Sequence, residues 1–249
     1  MSTEVSAAYA APKWAQASRK FTNFATFEAP GPKVVKFAWV INFQKVGTFA
    51  FLGLLMWFYA DKTPAATSTA AWIYLALHGS YGLVWFLKDR VFPDPNWETR
   101  ISPLGALDAF VFVLGPYWLF GWLLISGTSG ARYPLPAGPW FTLCITLVIL
   151  GSVIMIAADA QKFFVLKVRR GLITDGMFAS VRHPNYTGEM MLYGGFALLV
   201  WHWIPFVVLA WVWLGFFAPN MQLKEASMSR YPEWAAYKKR TKWVIPYVL

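Results

Sequence analysis

Charge and cysteine are scarce in this chain of 249 residues, and each absence excludes a class of protein. Only 14% of the residues are charged and 57% are hydrophobic, whereas soluble domains carry about 25% charged residues. The single cysteine, Cys144, excludes an internal disulfide and a cysteine-rich metal site, and we expect no bound metal. The N-terminal stretch has little arginine and no compact apolar core behind a basic start, so it indicates neither a transit peptide nor a cleaved signal peptide. The remaining class is an integral membrane protein.

Long apolar runs predict an all-α fold, a polytopic bundle of transmembrane helices. About 20 apolar residues cross a hydrocarbon core, and runs of that length lie near residues 37–60, 67–87, 104–126 and 139–158. A longer block, residues 188–217, exceeds one helix and contains Pro205, which cannot donate a backbone hydrogen bond. We therefore expect a helical hairpin that turns at Pro205. The total is six crossings, or four crossings with a partly re-entrant pair.

Basic residues outnumber acidic residues 22 to 12. Most of the basic residues fall on one side of the six-crossing arrangement. They lie in a polar arm (residues 1–36) that precedes a single membrane domain (residues 37–249), in the loop 162–182 and in the tail after residue 224. An excess of lysine and arginine marks the cytoplasmic side, so both termini are predicted to be cytoplasmic. The membrane is the endoplasmic reticulum, another endomembrane or a bacterial inner membrane. The charge fits anionic lipid headgroups, and we expect no nucleic-acid partner.

The stretch SVRHPNYTGEMM crosses from a polar loop into an apolar run. Asn185 and Tyr186 precede Glu189 by four and three residues, so the three side chains share one helical face. An acidic side chain just inside an apolar helix normally meets a partner or a water-filled cavity, which indicates function. Arg182 and His183 stand beside the same helix N-terminus, where a phosphate binds readily. Anchoring at the membrane interface is the alternative role for these residues.

The C-terminal stretch repeats this mixture of charges and aromatic rings. Glu225 follows the last apolar run, and Pro232 begins a short predicted helix that carries Tyr237 and Arg240. Tyr247 and the nearby tryptophans suit an interfacial belt. Tyr237 and Arg240 therefore either join a binding site or contact lipid headgroups.

Polar side chains also occur inside the first three apolar runs. Such groups tend to face the interior of a helix bundle, and here they are Asn42, Gln44, Lys45, His78, Ser80, Tyr81 and Asp108. Hydrogen bonds between helices and contacts with a substrate are both open as their roles.

Three segments together resemble one family in order and spacing. They are DAQK, which ends at Lys162, then GLITDGMFASVRHPNYTGE, and then KEASMSRYPEWAAYKKRTKWVIPY, which begins at Lys224. They resemble the C-terminal catalytic half of membrane sterol reductases and steroid 5α-reductase-like proteins. A related RHPxYxG motif occurs in isoprenylcysteine carboxyl methyltransferases, which share the architecture and bind S-adenosylmethionine in the equivalent pocket.

The resemblance implies that residues 159–249 form the half that binds NADPH. In that family a lysine that ends a segment like DAQK holds cofactor phosphate, and the RHPNYxGE residues lie at the dinucleotide pocket. The implied cofactor-binding residues are Lys162, Arg169, Arg182, His183, Asn185, Tyr186, Glu189, Glu225, Tyr237 and Arg240. S-adenosylmethionine carries no phosphate and would not require so many bases. The chain has no GxGxxG segment after a strand, so no Rossmann site is expected.

The resemblance also implies hydride transfer from NADPH to a C=C bond of a lipid or steroid-like molecule, with Tyr81, Tyr186 and Glu189 as catalytic residues. Tyr81 lies in LHGSYGLVWFLKDRVFPD, which resembles a family segment whose tyrosine meets the substrate carbonyl. The glutamine-glutamate pair of the first helix in steroid 5α-reductases is absent, and NFQKVG stands there. Two other functions stay open: a membrane methyltransferase of the isoprenylcysteine type, and a catalytically silent subunit of a larger membrane complex.

Overall fold

Helices make up nearly all of the regular structure in the computed structural model, which describes residues 9–246 and 248. The helices are α1 (Lys13–Thr22), α2 (Phe37–Tyr59), α3 (Thr69–Val91), α4 (Pro103–Leu114), α5 (Pro116–Ile125), α6 (Ala137–Val168), α7 (Pro184–Val200), α8 (Trp203–Met228) and α9 (Trp234–Arg240). Two short strands, β1 (Val35–Lys36) and β2 (Arg100–Ile101), pair in antiparallel orientation ahead of α2 and α4. The predicted all-α class is confirmed.

Four helices in the described part of the chain are long and apolar enough to cross a membrane, namely α2, α3, α6 and α8. The helices α4 and α5 form a fifth candidate if they are one broken span, bent by 47°. Pro116 begins α5, and the Gly115 N–H donates to the Phe110 carbonyl in a π turn, which together account for the bend. The protein is therefore an integral membrane protein. Helix α7 has 17 residues, and a sixth crossing stays a prediction because a hydrocarbon core requires about 20.

The hairpin between α7 and α8 turns at Trp201 and His202, so the predicted turn at Pro205 is wrong. Trp201 has a left-handed backbone conformation with a φ of 48°. The His202 side chain caps α8 by accepting a hydrogen bond from the Ile204 N–H. Pro205 lies in the first turn of α8, where a helix has no internal acceptor for the N–H that proline lacks. The proline marks a helix start and not the turn.

Helix α6 continues beyond its predicted end at residue 158 and stops at Val168. Its 32 residues span about 48 Å at a rise of 1.5 Å per residue. That length exceeds the roughly 30 Å of a hydrocarbon core. The DAQK segment therefore lies inside a helix and not at its end, which holds Asp159 and Lys162 on a rigid surface.

A close contact between two glycines sets how α7 packs against α6. A Cβ added to Gly188 would lie 2.5 Å from the Gly151 carbonyl oxygen, and a Cβ on Gly151 would lie 2.5 Å from the Gly188 carbonyl oxygen. Small residues of this kind let the backbones of membrane helices approach closely. The contact leaves Tyr186, Glu189 and Tyr193, which follow one another at spacings of three and four residues, on another face of α7.

The N-terminal arm packs against the second half of α8. The Ser18 hydroxyl of α1 donates to the Gly215 carbonyl at 2.7 Å, and the Tyr9 hydroxyl bonds to the Gln222 side chain. On its open side α1 exposes half of Trp14. The described part of the arm is thus joined to the helix that ends beside the RHPNY motif.

Candidate functional site

The arginine of the RHPNY motif is buried where α7 begins, at the end of the bundle that also carries Lys162 and Glu225 and is called the motif end below. Arg182 Nε donates to Glu225 Oε1 at 2.5 Å, and Nη1 donates to the Thr241 carbonyl at 2.6 Å. The side chains of the ion pair are only 9% and 4% exposed. The anion that Arg182 contacts is therefore a carboxylate of the protein itself. Arg182, Glu225 and Thr241 form a clasp that ties α7 to α8 and to the C-terminal tail.

His183 brings a second base to the clasp. Its Nε2 lies 3.5 Å from Glu225 Oε1, and its backbone N–H donates to the Trp243 carbonyl at 3.1 Å. Burial lowers the pKa of His183 below its usual value, and the Glu225 carboxylate offsets part of that shift. The ring is therefore neutral at neutral pH. Lys238 Nζ approaches the other carboxylate oxygen of Glu225 at 3.7 Å.

Two residues of α9 hold the loop between α6 and α7. The Tyr237 hydroxyl donates to the Phe178 carbonyl at 2.9 Å, and Arg240 Nη2 donates to the Thr174 carbonyl at 2.8 Å. Burial raises the pKa of Tyr237 to about 12, so its side chain stays a neutral phenol. Tyr237 and Arg240 of the predicted site thus contact the protein backbone, and Arg240 remains exposed.

The glutamine of DAQK anchors the same loop from the side of α6. Gln161 Oε1 accepts a hydrogen bond from the Met177 N–H at 2.8 Å, and Nε2 donates to the Asp175 carbonyl at 3.0 Å. Gly176 has a φ of +55° and would place a Cβ 2.6 Å from the Gln161 amide, so the loop requires glycine there. Arg169 is exposed and lies 3.8 Å from an Asp175 carboxylate oxygen.

Three lysines from three helices lie close enough at the motif end to act on one another's charge: Lys88 of α3, Lys162 of α6 and Lys224 of α8. Lys88 is paired with Asp159 at 2.7 Å. Lys224 Nζ lies 4.5 Å from the centroid of the Tyr186 ring. Neither Lys162 nor Lys224 forms an ion pair within the described residues. This lysine cluster therefore offers two ammonium groups to an anion from outside.

Tyr186, Glu189 and Tyr193 form a polar stripe on α7 that leads from the lysine cluster into the bundle. Glu189 is half-buried, and no basic group of the described residues lies within 4 Å of its carboxylate. Both Lys224 of the cluster and Lys45 of α2 act on its charge. A carboxylate that is accessible and has no ion-pair partner can accept hydrogen bonds from a bound molecule.

Lys45 lies at the buried end of the polar stripe and is enclosed by aromatic rings. Its Nζ lies 4.9 Å from the ring centroids of Trp85 and Tyr193, 5.1 Å from that of Tyr81 and 5.7 Å from that of Tyr117. It also donates a hydrogen bond to the Tyr193 hydroxyl. Lys45 and these four residues are called the Lys45 cage. Contacts between the ammonium and the ring faces are attractive.

Tyr81, one of the predicted catalytic residues, forms one wall of the Lys45 cage. A Cβ on Gly82 would lie 1.9 Å from the Lys45 carbonyl oxygen, so α2 and α3 touch at this point and bring Tyr81 beside Lys45. The Tyr81 hydroxyl points at Met155 Sδ, 3.8 Å away. A thioether is a weak acceptor, so this hydroxyl can donate to a stronger acceptor on a substrate.

One protein-family model spans the clasp, the lysine cluster, the polar stripe and the Lys45 cage. It is described as "Protein of unknown function (DUF1295)" and matches residues 32–241. The chain belongs to the DUF1295 family. That family comprises steroid 5α-reductase-like proteins, so the resemblance seen in the sequence is confirmed. No curated protein sequence matches the chain significantly.

All the predicted cofactor-binding residues of this DUF1295 protein except Asn185 fall into two groups. One group contacts the protein's own loop and tail: Arg169, Arg182, His183, Glu225, Tyr237 and Arg240. The other group borders the lysine cluster: Lys162, Tyr186 and Glu189. Asn185 is half-buried in the first turn of α7, and its side chain makes no hydrogen bond to the described residues.

The sequence predicts an interior position for Lys45, with a substrate contact as one of its two open roles, but it assigns no site role to Lys88 or Lys224. A lysine in an apolar span indicates function by default. Lys88 and Lys224 gave no such signal, because a lysine near a helix end usually reaches water. Their role depends on three helix ends meeting at one place.

Two of the polar residues in the apolar runs depart from the expected interior position. Ser80 is exposed, so its predicted interior position is wrong. It follows the buried Gly79 and precedes the buried Tyr81, and each step along a helix rotates the side chain by about 100°. Asp108 is half-buried and accepts a hydrogen bond from the Thr26 hydroxyl at 3.0 Å, at the edge of the arm. Tyr247, the expected interfacial residue, lies outside the described residues.

Proposed function

We propose that this DUF1295 protein is an NADPH-dependent membrane reductase that reduces a C=C bond of a lipid or steroid-like molecule. The observation that carries the proposal is the polar stripe of Tyr186, Glu189 and Tyr193. It joins the unpaired lysines at the motif end to the Lys45 cage in the interior. A dinucleotide would bind at the lysines and an apolar substrate at the cage, with Glu189 between them.

The charge of the lysine cluster suits NADPH, which carries a pyrophosphate and a 2′-phosphate. Lys162 is exposed and Lys224 is half-buried, and both ammonium groups are free of ion pairs within the described residues. Hydrogen bonds between an ammonium and a phosphate are about twice as strong as neutral ones. S-adenosylmethionine has no phosphate and would leave both lysines unmatched. The predicted six-crossing arrangement places most of the basic residues on the side of the loop before α7, and we propose that this side faces the cytoplasm.

NADPH supplies the hydride when it is bound. The chain would orient the nicotinamide and the substrate, donate a proton and exclude water. Glu189 would accept hydrogen bonds from the nicotinamide carboxamide, and Tyr186 would pack beside it. Tyr81 would donate a proton to the carbon next to the one that receives the hydride. Because Tyr81 is 3% exposed, water does not compete for that proton.

The clasp holds the start of α7, the helix that carries Glu189. Arg182 Nε donates to the Glu225 carboxylate, and Nη1 donates to the backbone carbonyls of Lys238 and Thr241. Within the described structure, only Nη2 is left to donate to a phosphate. The main role of Arg182 in the proposal is to fix the start of α7, and with it the direction of Glu189.

The direct test is thermal stabilisation of the detergent-purified protein by NADPH, NADH and S-adenosylmethionine in parallel. A ligand at 100 times its Kd stabilises the folded state by about 2.7 kcal/mol. We expect a rise in unfolding temperature with NADPH, and loss of that rise when Lys162 and Lys224 are both changed to Ala. Lys62→Ala, on the exposed loop after α2, is the control for charge alone. Stabilisation by S-adenosylmethionine alone would identify a methyltransferase, and no stabilisation by any of the three would identify a silent subunit.

A further inference from the structure

Lys45 is a buried lysine whose ammonium has no carboxylate in direct contact within the described part of the protein. Its side chain is 5% exposed, and α2 is long and apolar enough to span a membrane. No carboxylate of residues 9–246 or 248 lies within 4 Å of its Nζ. Charged groups inside a membrane are costly and normally pair with a partner. The Glu189 carboxylate acts on the charge of Lys45 only from beyond that distance, so a carboxylate in direct contact with Lys45 would have to come from a bound molecule.

Lys88 shows what the fold does with a comparable lysine. Its Nζ lies 4.4 Å from the Trp85 ring centroid, so Lys88 and Lys45 contact the same indole. Both residues are 5% exposed. Lys88, however, has the Asp159 carboxylate at 2.7 Å. The fold thus supplies a carboxylate to one buried lysine and only rings and a hydroxyl to the other.

Other polar atoms around Lys45 also lack partners. Trp85 is 4% exposed, and its Nε1–H has no acceptor in the described structure. His78 Nε2 is likewise without a partner among the described residues, and its ring centroid lies 6.3 Å from that of Tyr193. The ammonium and the indole N–H are donors only. These two donors therefore lack an acceptor within the described residues, apart from the Tyr193 hydroxyl that Lys45 contacts.

We propose that the Lys45 cage binds the carboxylate of an apolar acid. A carboxylate has two acceptor oxygens, which suit the Lys45 ammonium and the Trp85 N–H, and its charge offsets that of Lys45. A neutral ester or ketone would leave the ammonium charge uncompensated. The rings of Tyr81 and Tyr117 would cover the apolar carbons next to the carboxylate. The inference rests on the proposed function only where it names this acid as the substrate of the reductase.

The test compares acids with their methyl esters in nanodiscs of zwitterionic lipid at physiological salt. The probes are oleate and lithocholate, one a lipid acid and one a steroid acid, each with its methyl ester. We expect at least one acid to bind the wild-type protein more than about tenfold more tightly than its ester, a difference of about 1.4 kcal/mol. Lys62→Met should keep that preference, and Lys45→Met should reduce the ratio to near one.

Lys45→Arg and a thermal unfolding scan separate loss of charge from loss of fold. Arginine keeps the charge and should keep a preference for the acid. Lys45→Met should unfold at the same or a higher temperature without ligand, because it removes a buried charge. The inference is overturned if wild type prefers neither acid, or if the preference survives in Lys45→Met. Failure of NADPH to stabilise the wild-type protein would instead overturn the proposed function and leave the acid preference standing.

Discussion

Two buried bases of this protein, Arg182 in the clasp and Lys45 in its cage, have opposite surroundings. Arg182 is held by the Glu225 carboxylate and the Thr241 carbonyl, which satisfy its charge and its donors. Lys45 meets a tyrosine hydroxyl and four rings but no carboxylate of the described residues. We infer that charges paired inside the protein stabilise the fold, whereas charges without such a partner bind ligands.

The largest effect that this comparison predicts is on folding. Arg182→Met should lower the free energy of unfolding by about 3–5 kcal/mol, because it leaves the buried Glu225 carboxylate with only the more distant ammonium of the exposed Lys238. Lys45→Met should cost far less, since no carboxylate of the described residues lies within 4 Å of the Lys45 ammonium. Denaturant or thermal unfolding in the same detergent measures both. Equal destabilisation by the two variants would contradict the comparison.

The second prediction concerns the glycine contact that sets the orientation of the polar stripe. Gly188→Ala should destabilise the protein by about 1–3 kcal/mol, because its Cβ would overlap the backbone of α6. Gly194→Ala on the same helix is the matched control, since nothing lies within 4 Å of its Cβ. Alanine is the better helix former by up to about 1 kcal/mol, so the control should be neutral or stabilising. A neutral Gly188→Ala would show that α6 and α7 do not pack as described.

The third prediction concerns the free lysines. Lys162→Ala and Lys224→Ala should each weaken NADPH binding by about tenfold or more, since a hydrogen bond to a charged group contributes about 1.5–3 kcal/mol. Unfolding of the protein without ligand should barely change. A titration of the purified variants measures the affinity, with Lys62→Ala as the control. Unchanged affinity in both variants would remove the lysine cluster from the cofactor site.

The smallest effect is a dependence of stability on pH. Burial lowers the pKa of His183 in the folded protein, so the unfolded chain binds this proton more readily. The stabilisation is therefore complete above the usual value of 6.5 and declines as the pH falls through 6.5 toward the lower folded pKa. His183→Gln should flatten this part of the stability profile. Thermal scans above and below pH 6.5 would test it, and parallel profiles for wild type and variant would contradict it.

Much of the fold was predictable because apolar runs report directly on burial in a bilayer. The runs that became α2 and α3 were placed to within a few residues. The hairpin was misplaced because Pro205 is compatible with a helix start as well as with a break. The end of α6 was missed because Phe163 and Phe164, which follow Lys162, continue a helix that has already left the apolar run.

The candidate site was predictable only where it is local in sequence. Tyr186 and Glu189 share a face at a spacing that any helix imposes. The partner of Arg182 was not predictable, because Glu225 lies on another helix and their contact depends on how α7 is rotated. The Lys45 cage has the same origin, since its rings come from α3, α5 and α7 and meet Lys45 only after the helices pack.

The central claim, that Glu189 and the unpaired lysines of the lysine cluster bind the cofactor, is tested most directly at Glu189. Glu189→Gln keeps the shape of the side chain and removes its charge, and the NADPH affinity and unfolding temperature of this variant can be measured on one preparation. We predict an unfolding temperature equal to or above that of wild type, because the variant lowers the cost of burial, together with lost or strongly weakened NADPH binding. Full NADPH affinity in a well-folded Glu189→Gln would contradict the claim and leave Glu189 as an anchor at the membrane interface.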